Sequence, residues 1–394
     1  MRIAMVAEHA GAPGVAESSA AMAGRGHDVI VYIRRAEPNS PEQIITPQGY
    51  TVVSVPAGPA EPLSDDEMLR HMGDFAEHLN GRWQAERPDV VHANVWTAGI
   101  AAQLAARADS IPTVQTSHGL AEVEHSLDGN QTRRRLEKVI VRQATWVAAT
   151  CTEDLLALRR LGRSRTRISL VPCGVDLLRF ATEGPIATRT ERSRIIAVGD
   201  LLPRDGFDTV IRALPAIPEA EFVIVGGPAA GRLADDPAVR ALRALAAELG
   251  VADRVVFTGA VPRDGMPAML RSADVVTCTR VYDALGMVAL EAMACGVPVV
   301  ASAVGAMVDT VVHDVTGRLV APNRPRECAE AVTAILRDSF LRRSLGLAGR
   351  DRACARYSWD RISVDTLRIY HELVPASRLQ CAASAAASNS PSGH

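Results

Sequence analysis

Asp283, Gly286 and Glu291 are the residues of this sequence whose types and spacing could do chemistry together. Carboxylates accept hydrogen bonds from hydroxyls, and a glycine lets the backbone come close to a ligand. The surrounding residues dictate a strand, a loop and a helix. The apolar run Asp274–Cys278 reads as a buried strand, and Thr279–Asp283 as a polar turn. From Gly286 onward Met287, Leu290 and Ala294, with Val288 and Ala292, recur at helical spacing until Gly296 and Pro298 stop the helix. Val299–Ala301 then begins a new strand. A helix starting at Gly286 aims unpaired N–H groups and a positive dipole end into the space beyond the strand, where a phosphate would be at home. Two acids framing that start suit a sugar nucleotide, whose hydroxyls need acceptors and whose diphosphate needs N–H donors. Acids eight apart also occur on solvated helix faces, so the pair alone decides nothing.

The longer stretch is specific. Asp283, seven intervening residues and Glu291, followed by Ala292-Met293-Ala294-Cys295-Gly296-Val297-Pro298-Val299-Val300, resembles the Glu-X7-Glu region of the family 4 retaining glycosyltransferases. The resemblance covers nearly the whole chain except its tail. It implies the α/β GT-B fold, two doubly wound Rossmann-like domains with a cleft between them. It also implies roles: Asp283 on donor-sugar hydroxyls, Gly286 and the adjoining Met287 backbone on sugar and phosphate, and Glu291 on the nucleotide ribose. A histidine before a glycine faces the reaction centre in that family, and the strand Thr113–Thr116 delivers Ser117-His118-Gly119 to such a position. His118 and Asp283 are therefore the expected catalytic residues. The resemblance implies no cofactor and no metal, because helix N–H groups and cations can do a metal's work.

The elements that position these residues alternate strand and helix. Residues 2–7 form a first strand, Gly11 and Gly14 open an acceptor-side loop, a small-residue helix follows, and Asp28–Ile33 is a second strand. Residues 64–86 read as a helix, Pro88–Asn94 as a strand, and Thr145–Thr150 and Ile168–Val171 as further strands. Arg133, Arg134, Arg135, Lys138 and Arg142 give a basic patch on a helix, a solvated face or one that touches an anionic acceptor or a membrane surface, the solvated face being the better reading. After a linker at 181–193, strands at Ile195–Val198, Glu221–Val225 and Val255–Phe257 alternate with helices near Phe207–Leu214 and Ala238–Leu249. Helices are expected from Val299–Ala301 to about Arg356. The expected domains are 1–180 and 190–357, with 358–374 as a helix crossing back onto the first and 377–394 as a disordered tail.

Composition narrows the reading. A chain of 394 residues, 47% hydrophobic and 22% charged, holds two globular cores, and a net charge of −2 argues against nucleic acid as a partner. Seven cysteines are scattered without a CxxC, which is neither a disulfide framework nor a metal site. The N-terminal apolar run is too short for a signal peptide and no segment reaches the ~20 apolar residues of a membrane span. A cytoplasmic protein with little membrane contact is expected, with a homodimer left open.

One departure from the family bears on mechanism. Where relatives carry Gly-Arg-Leu and then Lys-Gly, the two cations holding the departing diphosphate, this chain has Asp200 and Asp205 in Val198–Phe207. Each charge contact near ~4 Å is worth about 4 kcal/mol at an effective dielectric near 20, so two reversals matter. Three explanations stand: Arg204, Arg280 or Arg263 replaces the lost cations; the acids serve a cationic group; or donor chemistry is lost and the protein is a catalytically silent binding partner. The loop near Gly11 and Gly14 is shorter than in relatives and lacks their glycine pair. Asp283 is shorter than the usual glutamate, and Ala284-Leu285 replaces Pro-Phe, leaving a roomier sugar pocket. The reading is a retaining enzyme moving a sugar from a nucleotide-diphosphate donor to a small acceptor, a natural-product or antibiotic intermediate or a thiol.

Overall fold

The computed structural model describes residues 1–9, 11–121, 123 and 131–374. The tail expected from residue 377 lies outside the described residues. The chain divides into two compact units, Met1–Pro172 with the chain from Trp359 onward, and Cys173–Ser358.

In the first unit, apolar runs such as Ile3–Ala7 and Val29–Ile33 have no polar face, which suits strands covered on both sides. They belong to an eight-stranded sheet. Its order from edge to edge is Gln43–Ile45, Thr51–Val55, Asp28–Arg34, Arg2–Ala7, Val90–Asn94, Thr113–Thr116, Trp146–Ala149 and Ile168–Leu170. All neighbours run parallel except the first pair. One face is covered by the helices Met72–Ala85 and Trp96–Ala108, whose Phe75, Leu79, Trp83 and Ala101 pack under Val6 and Val91. The other face takes Val15 and Met22 of Val15–Ala23, and Ile362, Ile369 and Tyr370 of the last helix, Trp359–Leu373. Strand order reverses between Arg2–Ala7 and Val90–Asn94, in register Ile3 to Val90. Ligands of open α/β sheets bind beyond the carboxyl ends at such a reversal.

The second unit has a six-stranded, wholly parallel sheet, in the order Val255–Gly259, Ala220–Val225, Ser193–Val198, Val275–Cys278, Val299–Ser302 and Gly317–Val320. Its reversal lies between Ser193–Val198 and Val275–Cys278, where Ile195 stands opposite Val275. The loops leaving these two strands, 199–206 and 279–286, are therefore the ones placed to meet a ligand.

The structure corrects three expectations and adds two strands. Gly317–Val320 is an edge strand where helices alone were expected, because Arg318 and Leu319 hydrogen-bond alongside Val300 and Ala301. Residues 64–86 form two helices, Asp65–Leu69 and Met72–Ala85, and the break at Arg70-His71 lets the His71 ring close over Gly58. The strands Gln43–Ile45 and Thr51–Val55 had no expectation at all. The first unit ends at Pro172, not residue 180: Val175 N–H donates to Tyr357 O at 2.7 Å and Phe180 is fully buried in the second unit's core. No described helix is long and apolar enough to cross a membrane.

Tyr370 ties the last helix to the first sheet by a specific bond. Its Oη lies 2.6 Å from His92 Nδ1, while His92 Nε2 lies 2.7 Å from Thr116 Oγ1, all buried. Removing the phenol strands a buried imidazole nitrogen. Tyr370→Phe is expected to cost about 1–3 kcal/mol, read as a lower urea midpoint at unchanged m-value.

Candidate functional site

The loop after Ser193–Val198 is shaped by a carboxylate. Asp205 is 3% exposed, and its Oδ2 accepts the N–H groups of Asp200 at 3.0 Å and Leu202 at 2.9 Å. Arg280 Nη2, from the neighbouring loop, lies 3.0 Å from Asp205 Oδ1, an ion pair whose N–H does not point along a hydrogen-bond axis. The loops are further stitched through the backbone: Val281 N–H donates to Arg204 O at 3.0 Å, and Thr279 Oγ1 donates to Gly206 O at 2.9 Å. Gly206, at φ 72°, lies so close under Thr279 O that a β-carbon there would overlap it. Asp200 and Arg204 are exposed.

Beyond this stitch the chain enters the helix Met287–Ala294. Asp283 Oδ1 accepts the N–H groups of Leu285 at 3.0 Å and Gly286 at 2.8 Å, and Gly286 has φ 67°. The Gly286 N–H expected to face a phosphate is thus held by the protein's own carboxylate. Asp283 Oδ2 has no partner among the described residues and remains an acceptor. Glu291, one helical turn further and 4% exposed, lies 2.5 Å through Oε1 from Arg263 Nη2, and the Arg263 guanidinium covers the Phe180 ring at 4.8 Å. Met287 is half-buried at the helix start. Burial raises the Cys278 thiol well above its ordinary range, with Asp283 adding to the shift, and raises Cys295 to about 12, so neither supplies a thiolate.

In the first unit His118 leaves the strand Thr113–Thr116 at the carboxyl edge. Its Nδ1 is buried and finds no hydrogen-bond partner among the described residues, and burial lowers the imidazole to about 4. It is a neutral hydrogen-bonding group at neutral pH. Arg133 turns inward, bonding Gly119 O at 3.0 Å and Glu137 at 2.7 Å, so it fixes the His118 loop. Arg134, Arg135, Lys138 and Arg142 are exposed. Glu8, at the strand reversal, accepts from Thr97 Oγ1, and burial raises its carboxyl. Gly11 is exposed, whereas Gly14, at φ 74°, is shaped by packing: a β-carbon there would come within 2.5 Å of the Trp359 ring. Among the described residues no three His, Cys, Asp or Glu side chains are grouped to hold a metal ion.

Residues 10–174 match the model of the glycosyl transferase 4-like domain, and residues 181–352 that of glycosyl transferases group 1. A D-inositol 3-phosphate glycosyltransferase of Xylanimonas cellulosilytica is 34% identical over 379 residues, 90% of this chain and 90% of the relative. The chain belongs to glycosyltransferase family 4. This family 4 glycosyltransferase is similar to the sucrose-phosphate synthase of Thermosynechococcus elongatus, with a TM-score of 0.83, 27% identity and coverage of 95% and 99% of the two chains. It shares its fold with Anabaena HepE, solved in complex with UDP, at a TM-score of 0.72, 20% identity and coverage of 94% and 100%. The two parallel sheets are those of a GT-B enzyme.

Sequence reasoning about this glycosyltransferase missed Thr279, Gly206, Phe180 and His92. The Asp205-Gly206 dipeptide carried a turn signal that could have found Gly206. Nothing in the sequence marked Phe180 as the seat of Arg263.

His92 and His118 set a pH dependence. Burial, and then the neighbouring His118 ring, lowers His92 to about 3. Unfolded, both rings take up a proton near 6.5. Between those values the unfolded chain binds more protons, so stability falls as the pH drops below about 6.5 and is constant above it. From pH 7 to 5 the loss is roughly 1–2 kcal/mol per histidine. Urea unfolding at the two pH values is expected to show a smaller loss in His118→Gln than in the parent.

Proposed function

We propose that the protein transfers a sugar from a nucleoside diphosphate donor, with retention at the anomeric carbon, to a small hydroxyl- or thiol-bearing acceptor. The observation that carries this reading is Glu291, a buried carboxylate one turn inside the helix that starts at the second sheet's reversal. An acid there accepts two hydroxyls of a ribose, with Arg263 yielding or sharing its contact. Support for a nucleotide donor comes from HepE, solved with UDP and with UDP-glucose. Support for a small acceptor comes from relatives named for a cyclitol phosphate and for sucrose phosphate. A natural-product acceptor rather than a polymer fits the short side chains Asp283 and Ala284 at the sugar pocket.

The chemistry is one displacement on one face. The acceptor oxygen or sulfur forms a bond to the anomeric carbon, the bond from that carbon to the diphosphate oxygen breaks, and the acceptor proton passes to the departing phosphate. Asp283 Oδ2 holds a donor-sugar hydroxyl, and the neutral His118 imidazole hydrogen-bonds a reacting hydroxyl without adding charge. A silent binding partner is the rival, and the inward turn of Asp205 weighs against it, since that acid caps its own loop.

Calorimetry with UDP, GDP and ADP tests the reading. One of them is expected to bind at micromolar strength, and Glu291→Ala to weaken it by about 1.5–3 kcal/mol, the worth of hydrogen bonds to a charged group. Product NMR is expected to show the donor's anomeric configuration. Binding of none of the three, or an inverted product, would reject the proposal.

A further inference from the structure

A donor diphosphate needs positive charge, and the loop 199–206 at the strand reversal presents Asp200 and Asp205 instead. The ordinary substitutes are backbone N–H groups at the loop turns. In this chain four of the described ones are taken by the protein's own acids: Asp205 accepts the Asp200 and Leu202 N–H groups, and Asp283 accepts those of Leu285 and Gly286. N–H groups carry no formal charge, and the full positive charge that suits a diphosphate comes from a side chain.

Three arginines are near enough in sequence, and the structure separates them. Arg263 is held between the Glu291 carboxylate and the face of Phe180. Arg204 is exposed, and its carbonyl accepts the Val281 N–H. Arg280 reaches with its side chain from one loop of the strand reversal to the other. It follows Thr279 at the carboxyl end of Val275–Cys278, and its guanidinium lies against Asp205 from the adjacent strand's loop. Its side chain is 29% exposed, against 1% for Asp205. The ion pair consumes no directed N–H, and the guanidinium makes no hydrogen bond among the described residues, so its fork of donors is uncommitted.

We infer that Arg280, at the end of the strand Val275–Cys278, is the diphosphate-binding cation of this enzyme, with Asp205 as the anion that holds it. The inference rests on the nucleotide-donor reading and goes beyond it in naming the residue that takes the phosphates. A planar fork suits two phosphate oxygens at once. Asp205 keeps the unliganded guanidinium in place and, already bonded to two backbone N–H groups, stays put when phosphate arrives.

The test separates nucleoside from diphosphate. UDP, GDP and ADP, each beside its own nucleoside, are titrated calorimetrically into the parent, Arg280→Gln, Arg280→Lys and Arg204→Gln. Arg280→Gln is expected to lose diphosphate affinity by roughly 10–100-fold, with nucleoside affinity within twofold of the parent, which shows the site still folded. Arg280→Lys, a point charge without the fork, is expected between the two, and Arg204→Gln at the parent value. The inference is overturned if Arg280→Gln binds the diphosphate as tightly as the parent, or if Arg204→Gln carries the loss instead. Failure of the nucleotide-donor reading looks different: neither nucleoside nor diphosphate then binds the parent, and the inference falls with it.

Discussion

A carboxylate taken almost wholly out of water must be met by donors and by opposite charge. Asp205 imposes that condition on the second unit, and the shape of the strand reversal follows from it. Its Oδ2 draws two N–H groups inward and curls the loop, and its Oδ1 faces the Arg280 guanidinium. Gly206 must then pass beneath Thr279, where only a residue without a side chain fits. Asp283 repeats the device one loop later by closing on Leu285 and Gly286. In both loops an acid that looks like a ligand-binding group in one dimension is first a structural anion.

The first unit meets the same condition with neutral groups. His92, between a tyrosine on the last helix and a threonine on the adjacent strand, is fully hydrogen-bonded and uncharged. The last helix is thus a covalent latecomer to a sheet whose other strands were complete some 190 residues earlier, and Tyr370 and Trp359 seat it over the first helix and strand. Thr116, which closes this chain of bonds, lies two residues before His118, so the seating of the last helix and the placement of that imidazole share one strand end.

Much of this was legible beforehand, for physical reasons. Continuous apolar runs gave the parallel strands at Arg2–Ala7, Ser193–Val198 and Val275–Cys278, because strands buried on both faces have no polar side to confuse the pattern. The edge strand Gly317–Val320 escaped since it is short, begins with a glycine and has the half-buried Arg318 interrupting the apolar run. The helix across 64–86 was periodic enough to read as one, and it breaks at Arg70-His71, where the His71 ring lies close over Gly58. Asp283, Gly286 and Glu291 were found by spacing along one loop and helix. Their partners were not: Arg263 and Glu291 are 28 positions apart, Asp205 and Arg280 are 75, and no local pattern announces which charges will meet.

The stitching of the two loops separates frame from charge. Val281 N–H on Arg204 O and Thr279 Oγ1 on Gly206 O are bonds to main-chain carbonyls, and they hold whatever side chains stand at 200, 204 and 280. In evolutionary terms the crevice is a fixed socket with exchangeable pins. A lineage can trade a cation in one loop for a cation in the next through steps that leave the backbone where it was, and a motif search keyed to the old positions would score such a chain as lost.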